Sequence, residues 1–334
     1  MEGIAFDNFS LPSMDEESSA MKLVSVIIPT YKAVEHLLLC ARSLARSDAA
    51  HLFEVCIYGD GGGEAARDAI SQAEQLLRNA GIDCTTNYNP KNLGNTPAVN
   101  RAVALAKGQW LFFCNDDMVF PRDWLMKSAP QLKPMRVLSV TCIEPPVHGH
   151  MPSKYFIAAN LGLDPNQFDI QKLDDFLTIH AKKEQILPQG VHYPFFVEHS
   201  VFEHIGGADE RFSGPYHDPD LFLRFRNYNV EMVRTQETAL YHFSGVSLRF
   251  SDKANHVKKR KKSLRWIEQE NHARLSFIKK WGAKPKAKFG EIPQTNATIE
   301  FNWSCQSSSK KLQVHALLMW ENIRAKLRIF RHSW

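Results

Sequence analysis

Four short stretches of the chain combine residue types that could do chemistry. Asn115, Asp116 and Asp117 stand in a row directly after the apolar run LFFC. Adjacent carboxylates repel unless a cation sits between them and a phosphate. The row therefore reads either as a site for a hard divalent ion or a sugar, or as a solvated loop or cap. Asp60 ends a second apolar run in YGDGGG, where three glycines allow a ligand close to the backbone. Glycine-rich turns are common, so this one alone does not separate a base or ribose contact from a plain turn. It is not a Walker loop, because no Gly-Lys-Ser/Thr follows. Asp218 lies at the entrance of the amphipathic stretch LFLRFRN, flanked by Gly214, Pro215 and Pro219, and a carboxylate held there suits a general base. Asp220 reads as the cap of that helix. His242, in ETALYHFSG, could ligate a metal only with carboxylate company, and spacing along the chain supplies none.

A fifth stretch, NPKNLGNTPAVNRAVALAKGQ, places Lys91, Asn92, Gly94, Asn100 and Arg101 just ahead of the acidic row. It reads as a helix from about Thr96 to Ala106, with Thr96 as cap, Pro97 at its first position and Gly108 ending it. The start of such a helix could face a diphosphate.

The elements that must position these residues follow from the apolar pattern. LVSVIIPTY, FEVCIYGD, a short run near Cys84 and QWLFFC read as strands. They alternate with helical spacing over 34–46, 64–79 and the stretch just described. Strands alternating with helices predict an α/β fold with a doubly wound, mostly parallel sheet. Ligands bind such sheets beyond the carboxyl ends of the strands, which directs attention to Pro29, Thr30 and Tyr31, to Gly59 through Gly63, and to Asn115 through Met118. Beyond Pro121 the alternation weakens, and residues 143–195 are loop-rich. Over 143–200, His148, His150, Glu198 and His199 form no readable acceptor pattern.

Composition narrows the classes. With 334 residues, 44% hydrophobic, 23% charged, 17 Gly, 17 Pro and 6 Cys, the chain is neither disordered, collagen-like nor a disulfide scaffold. No apolar run approaches the roughly 18 residues needed to span a bilayer. Residues 1–21 are acidic and lack the apolar centre of a secretory signal, so they read as a disordered lead-in to a cytoplasmic protein. The scattered cysteines, with no CxxC pair, read as reduced core residues. Charge is divided: residues 253–334 hold 19 Lys and Arg against 5 Asp and Glu, while residues 1–252 hold 22 against 31. A basic end suggests a phosphate-rich partner.

Taken in order, VSVIIPTY, YGDGG, NLGNTPAVNRA, NDD, GGADERF, HDPDLFLR, YHFSG and FIKKWG resemble the family 2 glycosyltransferases of the GT-A fold, over about Leu23 to Gly282. The second half is most similar to the rhamnosyltransferase-like branch. The resemblance implies a nucleotide-sugar-binding half over 22–122 and an acceptor and catalytic half over 123–250. A basic extension over 283–334 would follow. It implies that Pro29, Thr30 and Tyr31 line the base pocket, that Asp60 contacts the base and Asp116 the ribose, and that Lys91, Asn92, Gly94 and Asn100 sit against the donor. Asp117 and His242 would hold Mn²⁺ or Mg²⁺ on the diphosphate, and Asp218 would be the catalytic base. The donor would be a UDP-, dTDP- or GDP-linked sugar. The acceptor would be a glycan or lipid-linked hydroxyl in surface polysaccharide synthesis. Asn115 and His217 replace the usual Asp and Glu of the family pattern. KSLRW at Lys262 to Trp266 has Lys where the processive signature QxxRW has Gln, which favours single addition.

Residues 310–334 place Leu312, Ala316, Met319, Trp320, Ile323, Leu327 and Phe330 at helical spacing, with Arg324, Lys326, Arg328 and Arg331 largely elsewhere. This reads equally as a basic amphipathic helix on the inner face of an anionic membrane, or as a helix packed on the domain or on a second subunit. The rival readings are a catalytically silent nucleotide-sugar binder and a nucleic-acid binder using KKRKK at 258–262. The second lacks interleaved aromatics, so no nucleic acid is expected.

Overall fold

The computed structural model describes residues 22–146, 155–182, 186–188, 190–212, 215–243, 264–284 and 301–333. The lead-in, Gly214, His148, His150 and the KKRKK run lie outside these residues.

The first half alternates as its apolar pattern predicts. Strand β1 (Val24–Thr30) is followed by helix α1 (Val34–Leu44), β2 (Phe53–Asp60), α2 (Glu64–Asn79), β3 (Asp83–Asn89), α3 (Asn95–Val103) and β4 (Trp110–Phe113). β1 pairs in parallel with both β2 and β4, and β2 with β3. All eight residues of β2 are buried because helices cover both sheet faces. Successive side chains on a strand point to opposite faces. Val24, Val26, Ile28, Phe53, Val55 and Ile57 accordingly pack against α1 and α2, whereas Ile27, Cys56 and Tyr58 pack against α3. β3, with Asp83, Thr85 and Asn87, is a polar edge strand.

The second half departs from parallel winding. It adds β5 (Met118–Val119), α4 (Trp124–Ser128), β6 (Arg136–Glu144), β7 (Ile157–Ala158), α5 (Ile170–His180), β8 (Ile186–Leu187), β9 (Phe195–Glu198), α6 (His199–His204), α7 (His217–Asn227) and β10 (Glu231–His242). The sheet runs β3-β2-β1-β4-β9-β6-β10-β5, with β9 inserted antiparallel between β4 and β6 and β10 parallel to β6. Fully buried Trp124 seals this junction, with ring centroids 5.0 to 5.9 Å from Phe53, Phe112, Phe120 and Phe196. Helices α8 (Leu264–Trp281) and α9 (Ser308–Ser333) complete the described chain. Among the described residues no helix is long and apolar enough to cross a membrane.

Four local expectations are corrected. α3 begins one residue early, at Asn95, and its cap position is Gly94 at φ 107°. Thr96 instead donates to the Phe212 carbonyl at 2.9 Å. Gly108 does not terminate that helix. It passes β1 so closely that a Cβ would lie 2.7 Å from the Ser25 nitrogen. Asp220 is no cap, because α7 starts earlier at His217, after Tyr216 in a left-handed conformation. Its buried carboxylate takes hydrogen bonds from Arg224 Nε and Trp281 Nε1, both 2.9 Å, and pairs with Lys280 at 2.7 Å. Cys305 is exposed, while the other five cysteines are buried and free.

Candidate active site

The carboxyl ends of β1, β2 and β4 come together, and the segment after β4 carries the acidic row past them to β5. Thr30, the last residue of β1, donates from Oγ1 to Asp116 at 2.7 Å, and the Tyr31 backbone N–H donates to the same carboxylate. Burial and the neighbouring Asp117 charge push the Asp116 carboxyl upward, against the pull of those two donors. Thr30, Tyr31 and Asp116 thus meet on the strand-end surface.

Asp60 terminates β2 on the same side. Gly61, Gly62 and Gly63 follow at φ 87°, 101° and 81°, a left-handed run that side chains resist. The buried Asp60 carboxylate accepts from the Leu93 N–H at 2.9 Å and the Gly94 N–H at 2.7 Å, and its carbonyl accepts from Asn92 Nδ2 at 3.0 Å. Asp60 therefore ties the loop carrying Lys91, Asn92 and Gly94 to the end of β2. Asn100 is not brought to this surface as expected. Its amide makes a two-way clamp on Ala208, with bonds of 2.9 and 2.8 Å, and bonds Glu210 at 3.1 Å. That engagement holds the GGADERF segment on α3.

β5 pairs antiparallel with the end of β10, which sets His242 opposite Met118 and beside Asp117. His242 Nε2 lies 3.3 Å from Asp117 Oδ1, and Nδ1 lies 2.7 Å from Glu144 Oε1. Burial opposes a charge on His242, but Asp117 and Glu144 outweigh it and raise the imidazole to about 10. Burial likewise opposes ionisation of Asp117, and His242 overcomes it to hold the carboxyl below its ordinary range. The carboxylate company missing along the sequence is supplied here by folding. Glu144, at the end of β6, was missed. Its only signal was an acidic residue closing the apolar strand RVLSVTCIE.

These residues suit a hard divalent ion. Two cis ligands of an octahedral ion with bonds of about 2.1 Å stand about 3 Å apart, and Asp117 Oδ1 and His242 Nε2 are 3.3 Å apart. Glu144 on the far ring nitrogen fixes the orientation of the imidazole, as carboxylates behind metal-bound histidines do. Among the described residues no group of three His, Cys, Asp or Glu side chains could hold a metal. The remaining ligands would have to be oxygens of a bound molecule and water.

Asp218, in the first turn of α7, lies with Oδ1 2.7 Å from His217 Nε2. The same ring nitrogen is 3.2 Å from Asn95 Nδ2 at the start of α3, and the His217 ring meets Tyr193 edge to face at 5.7 Å. Buried His192, next in chain to Tyr193, feels the charges of both His242 and Asp218. Asn95 and Tyr193 were also missed, since neither stands in a charged motif.

Residues 25–180 match the glycosyl transferase family 2 model. No curated protein sequence matches the chain. Among solved structures, mannosyltransferase PcManGT from Pyrobaculum calidifontis, in complex with GDP-Man and Mn²⁺, is 12% identical. The match covers 92% of this chain and 74% of that one at a TM-score of 0.51. GalNAc-T7 with UDP, GalNAc and Mn²⁺ is 10% identical, covering 81% and 52% at 0.54. TarS from S. aureus is 14% identical, covering 77% of this chain at 0.49, and the match spans 40% of the TarS chain. The sheet that gathers these acidic strand ends is a GT-A fold, and residues 25–180 of the chain are similar to the glycosyl transferase family 2.

Proposed function

We propose that the protein is a metal-dependent, inverting glycosyltransferase that moves a sugar from a nucleotide-diphosphate sugar to a hydroxyl of a glycan or lipid-linked acceptor. The transfer is a single addition in surface polysaccharide synthesis. The observation that carries the reading is the row Asp117, His242 and Glu144 beside the Thr30–Asp116 pair, at the strand ends where such a sheet binds ligands. Thr30, Tyr31, Asp60 and Asp116 receive the nucleoside, and Lys91, Asn92 and Gly94 border the donor. Asp117 and His242 hold Mn²⁺ or Mg²⁺. When bound, that ion neutralises charge growing on the leaving diphosphate. Asp218 takes the acceptor proton as the hydroxyl oxygen bonds to the anomeric carbon. The bond from that carbon to the diphosphate breaks, and the configuration inverts.

Asp218→Asn should lower transfer by about 10²- to 10⁴-fold while leaving the dissociation constant of the nucleoside diphosphate unchanged. Transfer at the wild-type rate would refute the base. One observation favours a second reading, a nucleotide-sugar binder without turnover: Asp218 Oδ1 is shielded from solvent beside His217. Metal-dependent donor binding with neither transfer nor donor hydrolysis in the wild-type chain would establish it.

A further inference from the structure

Helix α9 packs on the domain with the opposite face from the one its composition predicts. In an ordinary surface helix the apolar stripe turns inward. Here the inward seam against α8 holds Val314, Glu321, Ala325 and Arg328. It is tied by ion pairs: Glu321 with Lys284 at 2.6 Å and Arg274 at 3.4 Å, and Arg328 with Glu270 at 2.6 Å. The apolar side chains turn outward. Leu312, Met319, Trp320, Ile323, Leu327 and Phe330 are each 50% to 70% exposed. At about 100° per residue they fall within a sector of about 100°, and at about 1.5 Å per residue they run about 27 Å along the helix.

An unbroken stripe of that size, exposed to water, signals a surface that something else covers. Charge says what. Glu321 is the only acidic residue in α9, and it is buried in the inward seam. The outward side therefore carries no negative charge. Lys311 and Lys326 flank one edge of the stripe, and Arg324, which also pairs with Glu321 at 3.1 Å, flanks the other. An apolar stripe with a Trp, rimmed by cations and free of anions, complements a bilayer whose headgroups are negative.

We propose that the outward face of α9 docks the protein in the plane of an anionic lipid bilayer, while its inward seam stays locked to α8. Trp281 and Lys280 of α8 grip Asp220 of α7, two residues beyond Asp218. Docking would therefore hold the acceptor side of the site in a fixed relation to the lipid surface. The inference does not depend on the proposed transfer reaction, because its readout is binding alone.

The test is flotation of the full chain with vesicles of phosphatidylcholine alone and of phosphatidylcholine with phosphatidylglycerol, at low and high salt. Binding to the anionic vesicles, reduced by salt, is expected. In Ile323→Glu/Leu327→Glu it should fall at least about tenfold, with circular dichroism and melting temperature unchanged because both side chains lie outside the packed seam. Should that variant misfold, Lys311→Glu/Lys326→Glu should weaken anionic binding about tenfold without touching the apolar stripe. Failure of the wild-type chain to float with either vesicle would overturn the proposal, as would equal binding by both folded variants. A dimer in sedimentation that the apolar substitutions dissociate, without vesicle binding, would assign the face to a second copy of the chain.

Discussion

Buried between two carboxylates, His242 is protonated at neutral pH, and two consequences follow from its value of about 10. A folded-state value above the ordinary 6.5 means that the stabilising charge pair is fully present below 6.5 and is lost as pH rises toward 10. Urea stability measured across that window should fall, and His242→Gln should flatten the slope. A divalent ion binding Nε2 must displace the proton, so its affinity should rise about tenfold per pH unit below that value. Calorimetric titration of Mn²⁺ at successive pH values in metal-free protein reads this directly. Glu144→Gln removes the partner that orients the ring and should weaken Mn²⁺ binding about 10- to 100-fold, measured by the same titration. At this scale Asp116, Asp117 and Asp218 stood out as candidates from their residue types at strand and helix ends, and His242 only through the family resemblance. Glu144 was not, because 98 residues separate it from the imidazole it contacts.

Helix α7 is held at its buried end rather than capped at its start. Asp220 bonds Arg224 four residues on, and Trp281 and Lys280 on another helix. Asp220→Ala removes one of the carboxylates that pair with Lys280, a side chain 2% exposed. The loss should be about 3 kcal/mol, read by chemical denaturation. Sequence reasoning placed this helix to within a few residues from LFLRFRN and took Asp220 for its cap, because Asp near a helix start favours capping. The deciding partners lie 60 and 61 residues downstream, beyond the reach of any local rule. Thr96 repeats the lesson. Its position ahead of Pro97 suggests a cap, and its hydroxyl is drawn instead to the Phe212 carbonyl.

Across the whole molecule, ligand binding and folding are linked. A donor that binds only the folded chain at a hundred times its dissociation constant adds about 2.7 kcal/mol of stability. A panel of UDP-, dTDP- and GDP-linked sugars should therefore raise the melting temperature with one base in the presence of Mn²⁺, and a chelator should abolish the shift. The sequence by itself determined the parallel first half, β1 through β4 with their helices. Its strands are apolar runs buried on both faces, its helices carry apolar residues at helical spacing, and each crossover is local. It also determined that α9 would be amphipathic and basic. Only the tertiary structure decided the insertion of antiparallel β9, the pairing of β5 with β10 that brings His242 to Asp117, and which face of α9 meets the protein. Strand order and helix docking depend on partners distant in the chain. Short strands such as Met118–Val119 carry too few residues to declare a pairing. A helix with two usable faces is settled by the ion pairs its neighbour offers.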